Sequence, residues 1–131
     1  MSSPTDRRFL QTHEWHRLDG DIVTIGISQF AVDELTDVTY VEITATEGEV
    51  RAGDPIGEIE SVKATSDIYT GVDGAVTEVN RAAIDDPSLI NRNPYEDGWL
   101  IKIRISNTSQ FEKLLTTEEY DRSTGKGADA G

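Results

Sequence analysis

The chain has 131 residues, the length of one compact domain, with 36% hydrophobic and 28% charged residues, the balance of a globular protein. Twenty-five acidic residues against 12 basic give a net charge of −13, which repels phosphate backbones, argues against nucleic-acid binding, and serves either solubility or steering toward basic partner faces. No cysteine occurs, so disulfides, zinc–thiolate sites and thiol nucleophiles are excluded from the polypeptide, and any redox chemistry must come from an attached or bound group.

The N-terminus, MSSPTDRRFL, has two arginines and no apolar h-region, so it does not read as a secretory signal. No apolar run approaches the ~20 residues of a membrane-spanning helix. A cytoplasmic, bacterial-type chain is expected; a mature mitochondrial form would read the same. Phe9 to Leu18 and Asp21 to Ile27 flank Asp19-Gly20, a dipeptide that favours a tight β-hairpin. Ser28 reads as a helix N-cap, with Ala31, Val32 and Leu35 at helical spacing behind it. Val38 to Ile43 is rich in β-branched residues and predicts a strand. Glu47 to Asp54 is turn chemistry around Gly48 and Gly53.

Pro55 to Val62 and Thr65 to Thr70 are short strand-like runs, and Ala75 to Val79 resumes as a strand after Gly71 and Asp73-Gly74. Residues 80 to 98 hold Pro87 and Pro94 among polar neighbours and predict loops and short helical turns. Trp99, Ile101, Ile103 and Ile105 then alternate with Leu100, Lys102, Arg104 and Ser106, the clearest strand in the chain. Ser109-x-x-Glu112 has the capping-box pattern before Phe111, Leu114 and Leu115, and Thr116-x-x-Glu119 starts another turn. Residues 121–131 are expected to be a disordered tail after one domain over 1–120. Many short strands with peripheral helices predict a small antiparallel barrel or sandwich.

The central segment is nearly symmetric. Gly53 and Gly74, and likewise Ile59 and Ile68, are equidistant from the midpoint between Lys63 and Ala64. If the two strands pair as a hairpin, Lys63 lies at the tip, exposed and sterically free. Ser61 and Ala64 beside it are small enough to let a modifying enzyme approach.

The string ESVKATSDIY, with GD at 53–54 before it and GxxG at 71–74 after it, resembles the lipoyl-lysine region of the glycine cleavage H-protein family. HEW at 13–15, VTIGISQFA at 23–31, TEVN at 77–80, DDPSLIN at 85–91 and NPYEDGWLIKI at 93–103 look like the same family in the same order. The resemblance covers about residues 9 to 120. Biotin carriers, the nearest confusable group, usually flank their lysine with methionines; here the neighbours are Val62 and Ala64.

The resemblance implies a mostly β, lipoyl-domain-like barrel-sandwich hybrid and a non-catalytic carrier with lipoic acid in amide linkage to Lys63. The arm would accept an aminomethyl group from a pyridoxal-phosphate glycine decarboxylase. A tetrahydrofolate-dependent aminomethyltransferase would take the one-carbon unit, and dihydrolipoamide dehydrogenase would reoxidise the dithiol. A lipoate-attaching enzyme is a fourth partner. The absence of cysteine suits this role, since no protein thiol can form a mixed disulfide with the arm. Family positions that hold the loaded arm in a surface cleft match Glu14 and Asp67, with Thr12 where a serine is often found. Glu58 and Glu60 are expected to serve recognition by the lipoate-attaching enzyme, or solubility.

His13 and His16 are not spaced as HExxH, so they read as structural residues rather than metal ligands. Pro94-Tyr95 and Gly98-Trp99 read as turn and core elements. The chain departs from the family at Thr36, where a glycine is common, at Thr39 and His16, where apolar residues are common, and in having no proline after Ile43. Other readings are a relay of lipoyl or octanoyl groups to other enzymes, an H-like lipoyl carrier of another pathway such as sulfur oxidation, and an unmodified binding domain. The intact HEW, Asp67 and NPYEDGW segments favour glycine cleavage over another pathway, and Lys63 itself argues against an unmodified domain.

Overall fold

The computed structural model describes residues 4–124. The strand expected from Phe9 to Leu18 is split in two. Arg8–Phe9 forms β1 and Glu14–Asp19 forms β2, because His13 between them has a left-handed backbone (φ 85) that breaks the pleat. β2 pairs antiparallel with β3, Ile22–Ile27. Asp19 faces Ile22, so the two-residue loop is Gly20-Asp21, one position beyond the expected Asp19-Gly20. Only Gly20 has positive φ (61), which is the II′ pattern rather than I′.

Ser28 caps α1 (Gln29–Leu35) as expected: its Oγ accepts the Ala31 amide at 3.2 Å. Val32 and Leu35 turn inward. The helix stops at Thr36, whose φ is 63. A β-branched residue is strained there, which is the physical reason a glycine suits the position.

β4 (Val38–Ile43), β6 (Pro55–Ser61) and β7 (Thr65–Tyr69) form a three-stranded antiparallel sheet in the order β4-β6-β7. β5 (Glu49–Val50), β8 (Gly74–Val79) and β9 (Ile101–Arg104) join a six-stranded sheet, β1-β2-β3-β9-β8-β5. β9 is shorter than the expected Trp99–Ile105 run, although Ile101, Ile103 and Ile105 are all buried as the alternation requires. The core joins both sheets: Val23, Ile25, Ile101 and Ile103 from one, Val41, Ile56, Ile59 and Ile68 from the other. Each such side chain contributes about 1.5–3 kcal/mol on burial. A second cluster, Phe9, Trp15 and Tyr120, closes one end. There Trp15 lies across β2–β3 from Gly26, and a Cβ at Gly26 would meet its ring at 2.6 Å. Glycine is therefore required by packing at that position.

Residues 80–98 carry two short helices, α2 (Arg81–Asp85) and α3 (Ser88–Arg92). Trp15 Nε1 donates to Pro94 O at 2.9 Å, so the Pro94 turn serves the core as expected. The capping box expected at Ser109 does not form. Ser109 lies inside α4 (Ser109–Glu112), and its hydroxyl donates to Asn107 Oδ1 at 2.6 Å. The box forms one segment later: Thr116 Oγ1 accepts the Glu119 amide, and Glu119 Oε1 accepts the Thr116 amide. It opens α5 (Thr117–Ser123), which overlaps the tail expected over 121–131 because Tyr120 and Asp121 are buried against the body. Residues 125–131 of that tail lie outside the described residues. Among the described residues, no helix is long and apolar enough to cross a membrane.

Candidate functional site

β6 and β7 pair as the expected hairpin, with Glu58 facing Asp67, Ile59 facing Ser66 and Glu60 facing Thr65. The centre of pairing falls between Val62 and Lys63, one residue before the sequence midpoint, so Ile68 faces Gly57 rather than Ile59. Lys63 is still at the tip. It is exposed, as are Val62 and Ala64 beside it.

Ser61 organises this tip. Its Oγ accepts the Lys63 amide at 3.1 Å and the Ala64 amide at 2.9 Å, and its hydroxyl can donate to Ala64 O at 3.1 Å. The Ser61 amide donates to Ala64 O at 2.8 Å, and the Val62 amide donates to Asp37 O at 3.2 Å. The backbone at Lys63 is thus fixed by its neighbours while its side chain is left in solvent. Val62 is 73% exposed and Tyr40, on the adjacent strand, 47%, giving the tip two apolar groups beside its one amine.

A cleft of about 310 Å³ lies between β7, the β1–β2 connection and α1. Thr12, His13 and Glu14 line one side, Ser66, Asp67 and Ile68 another, and Phe30, Glu34 and Leu35 a third, over Ile27 and Ile59. The structure therefore brings Thr12, Glu14 and Asp67 to one cavity. Lys63 does not line it, but Ser66 is three residues further along the chain, about 10 Å in an extended strand.

Glu14 is the most deeply placed of the acids, only 1% exposed. Its Oε1 accepts the Thr12 hydroxyl at 2.5 Å and its Oε2 the Tyr69 amide at 2.7 Å. Burial pushes its pKa up to about 7, against the pull of those two hydrogen bonds. Asp67 is exposed at the rim, within 3.4 Å of the Tyr69 hydroxyl. An apolar floor beneath carboxylates suits a long apolar chain whose end carries a cation.

The two histidines have different surroundings. His16 is fully buried; its Nε2 accepts the Gly71 amide at 2.9 Å, and its Nδ1 faces Glu14 O at 3.3 Å. Burial pushes its pKa down to about 4, so it is a neutral structural group, as its packing requires. His13, expected in a strand, instead lines the cleft from a positive-φ turn. Sequence reasoning also missed Phe30, Glu34 and Tyr69 around the cavity. The helical spacing of α1 marks its core-facing residues but says nothing about which cavity its other face meets.

A family model described as Glycine cleavage H-protein matches residues 7–126. A glycine cleavage system H protein of Carboxydothermus hydrogenoformans is 44% identical over 119 residues, covering 91% of this chain and 92% of that one. One of Staphylococcus epidermidis is 38% identical over 126 residues, covering 96% and 100%. A crystal structure of a glycine cleavage system H protein from Mycobacterium marinum superposes with a TM-score of 0.84 at 37% identity, covering 93% of this chain and 98% of that one. The likeness in fold extends to the lipoyl-domain-like barrel-sandwich, with its two antiparallel sheets and few short helices.

Proposed function

The chain belongs to the glycine cleavage H-protein family, and from that membership we propose that it is a lipoyl carrier with lipoic acid in amide linkage to Lys63. It is a component of the glycine cleavage system rather than a catalyst in its own right. The partners it serves are a pyridoxal-phosphate glycine decarboxylase, a tetrahydrofolate-dependent aminomethyltransferase, dihydrolipoamide dehydrogenase and a lipoate-attaching enzyme. Lys63 would hold the lipoyl group, which when attached would supply the carrier sulfur and two-electron redox chemistry that this cysteine-free chain lacks.

The observation that carries this reading is Lys63 at the exposed tip of a hairpin whose next strand lines a cleft. Ser61 holds the tip backbone in one shape, so an enzyme meets Lys63 in a preformed loop. Tethering at the tip raises the effective concentration of the arm at each partner. Glu14 and Asp67 hold the cationic end of the loaded arm, and Thr12 keeps Glu14 in its rotamer through their hydrogen bond. An ammonium ion entering the cleft stabilises the buried carboxylate, so Glu14 is most ionised when a cation is there to be held. Glu58 and Glu60 lie within β6, just before the tip, and serve recognition by the lipoate-attaching enzyme.

Exchange of labelled bicarbonate into glycine, catalysed by the decarboxylase, tests this. The lipoylated protein should support exchange and Lys63→Arg should reduce it to the rate without carrier. Exchange that survives Lys63→Arg would remove the carrier role from this residue.

A further inference from the structure

His13 meets the cleft beside Phe30, their rings 4.7 Å apart. Behind it runs a line of hydrogen bonds that spans most of the chain length. His13 Nδ1 is 2.7 Å from the Tyr120 hydroxyl, which is 2.6 Å from Ser28 Oγ, which accepts the Ala31 amide at the start of α1. The Tyr120 ring is clamped by Phe9, stacked at 4.3 Å with the planes 6° apart.

Counting protons sets the direction of this line. Ser28 is fully buried, and its Oγ has two neighbours, the Ala31 amide and the Tyr120 hydroxyl. The amide is a donor, so the Ser28 proton goes to the tyrosine oxygen. The tyrosine proton then goes to His13 Nδ1. The reverse order would strand the Ser28 proton without an acceptor among the described residues, at about 1–3 kcal/mol. Burial pushes His13 below its ordinary pKa, against the pull of Glu34, and so favours the neutral ring over the cation. With Nδ1 accepting, its one proton is on Nε2. Among the described residues, no other hydrogen bond reaches this ring.

We propose that Tyr120 is a positioning residue that fixes His13 as the Nε2–H tautomer and so gives the cleft a neutral donor for a sulfur of the bound dithiol arm. The identity of the ligand rests on the carrier reading; the tautomer does not. The other side chains that line the cavity are carboxylates, hydroxyls and apolar groups. The carboxylates attract a cation and would repel a thiolate. An imidazole N–H gives the sulfur a donor without adding a positive charge that would repel the amine. The positive φ of His13 fits this reading, since strain of about 1–3 kcal/mol persists where surrounding contacts enforce it.

Long-range proton–nitrogen NMR on the unmodified protein reads the tautomer directly. His13 should show Nε2–H with Nδ1 as acceptor. Tyr120→Phe keeps the ring that stacks on Phe9 and removes the hydroxyl, and should populate the Nδ1–H form. A wild-type Nδ1–H signal, or a tautomer unmoved in Tyr120→Phe, overturns the positioning role. On the lipoylated, reduced protein, His13→Phe should lower the thiolate fraction at pH 8 severalfold, read by ultraviolet absorbance. An unchanged fraction overturns the sulfur contact. A protein that takes no lipoate would instead defeat the carrier reading, and the NMR result would still decide the tautomer.

Discussion

At the scale of single residues, Glu14 carries the sharpest consequence. Its folded-state pKa, about 7, lies above the ordinary value of 4.5 because burial penalises the charged form. The fold therefore prefers the protonated acid. That preference is satisfied below about pH 4.5 and lost as pH rises through 7, where the buried carboxylate costs on the order of 3 kcal/mol. Glu14→Gln removes the charge while its amide oxygen can still accept the Tyr69 amide and its amide nitrogen can donate to Thr12. The variant should match the wild type in urea unfolding at pH 4 and exceed it by about 1–3 kcal/mol at pH 8. A stability difference that is the same at both values would show that Glu14 is not penalised by burial. The same substitution should weaken retention of a cationic arm, a trade of function against stability. The convergence of Glu14, Asp67 and Thr12 on one cleft was legible through the family resemblance. His13, Phe30 and Glu34 were not. His13 and Tyr120 are 107 residues apart, and no local pattern marks a hydrogen bond between them.

At the scale of elements, the β6–β7 hairpin ties the sequence to the proposed chemistry. Its existence was legible because glycine turns bracket two short strand-like runs. Its register was not: the apparent midpoint at Lys63–Ala64 is displaced one residue, because Ser61 and its three hydrogen bonds define the loop rather than the flanking symmetry. Ser61→Ala removes those side-chain contacts at an exposed site. It should cost about 1 kcal/mol or less in global stability. Amide exchange at Lys63 and Ala64 should rise while exchange at Ile59 and Ile68 stays slow. Equal exchange in both proteins would mean that the backbone alone holds the tip. The capping boxes teach a related point. Ser109-x-x-Glu112 and Thr116-x-x-Glu119 are equivalent as patterns, yet the box forms only at the second. Asn107 takes the Ser109 hydroxyl and starts the turn earlier, a competition that spacing alone does not reveal.

At the scale of the molecule, alternating apolar residues made the β-rich class legible, and the isoleucines of β3, β6 and β9 meet in one core between the sheets. The split of the first strand was hidden, because Phe9 to Leu18 reads as one run while its backbone turns at His13. Regular structure continues past residue 120 because α5 is tied down by tertiary contacts: Tyr120 on Phe9, and the Thr117 hydroxyl on the Arg7 carbonyl at 3.1 Å. The excess of acidic residues and the absence of cysteine fit the carrier role proposed above, in which the reactive group is attached rather than encoded. The chain contains four lysines, at positions 63, 102, 113 and 126. Lys102 is half-buried over the Trp99 ring and within 3.9 Å of Glu78, which leaves it less free than the hairpin tip. Intact-mass analysis with peptide mapping, on protein purified from its native host, therefore tests the central claim most directly. A single lipoyl increment on Lys63, absent in Lys63→Arg, is the predicted result. An unmodified chain, or an increment on any other lysine, would contradict it.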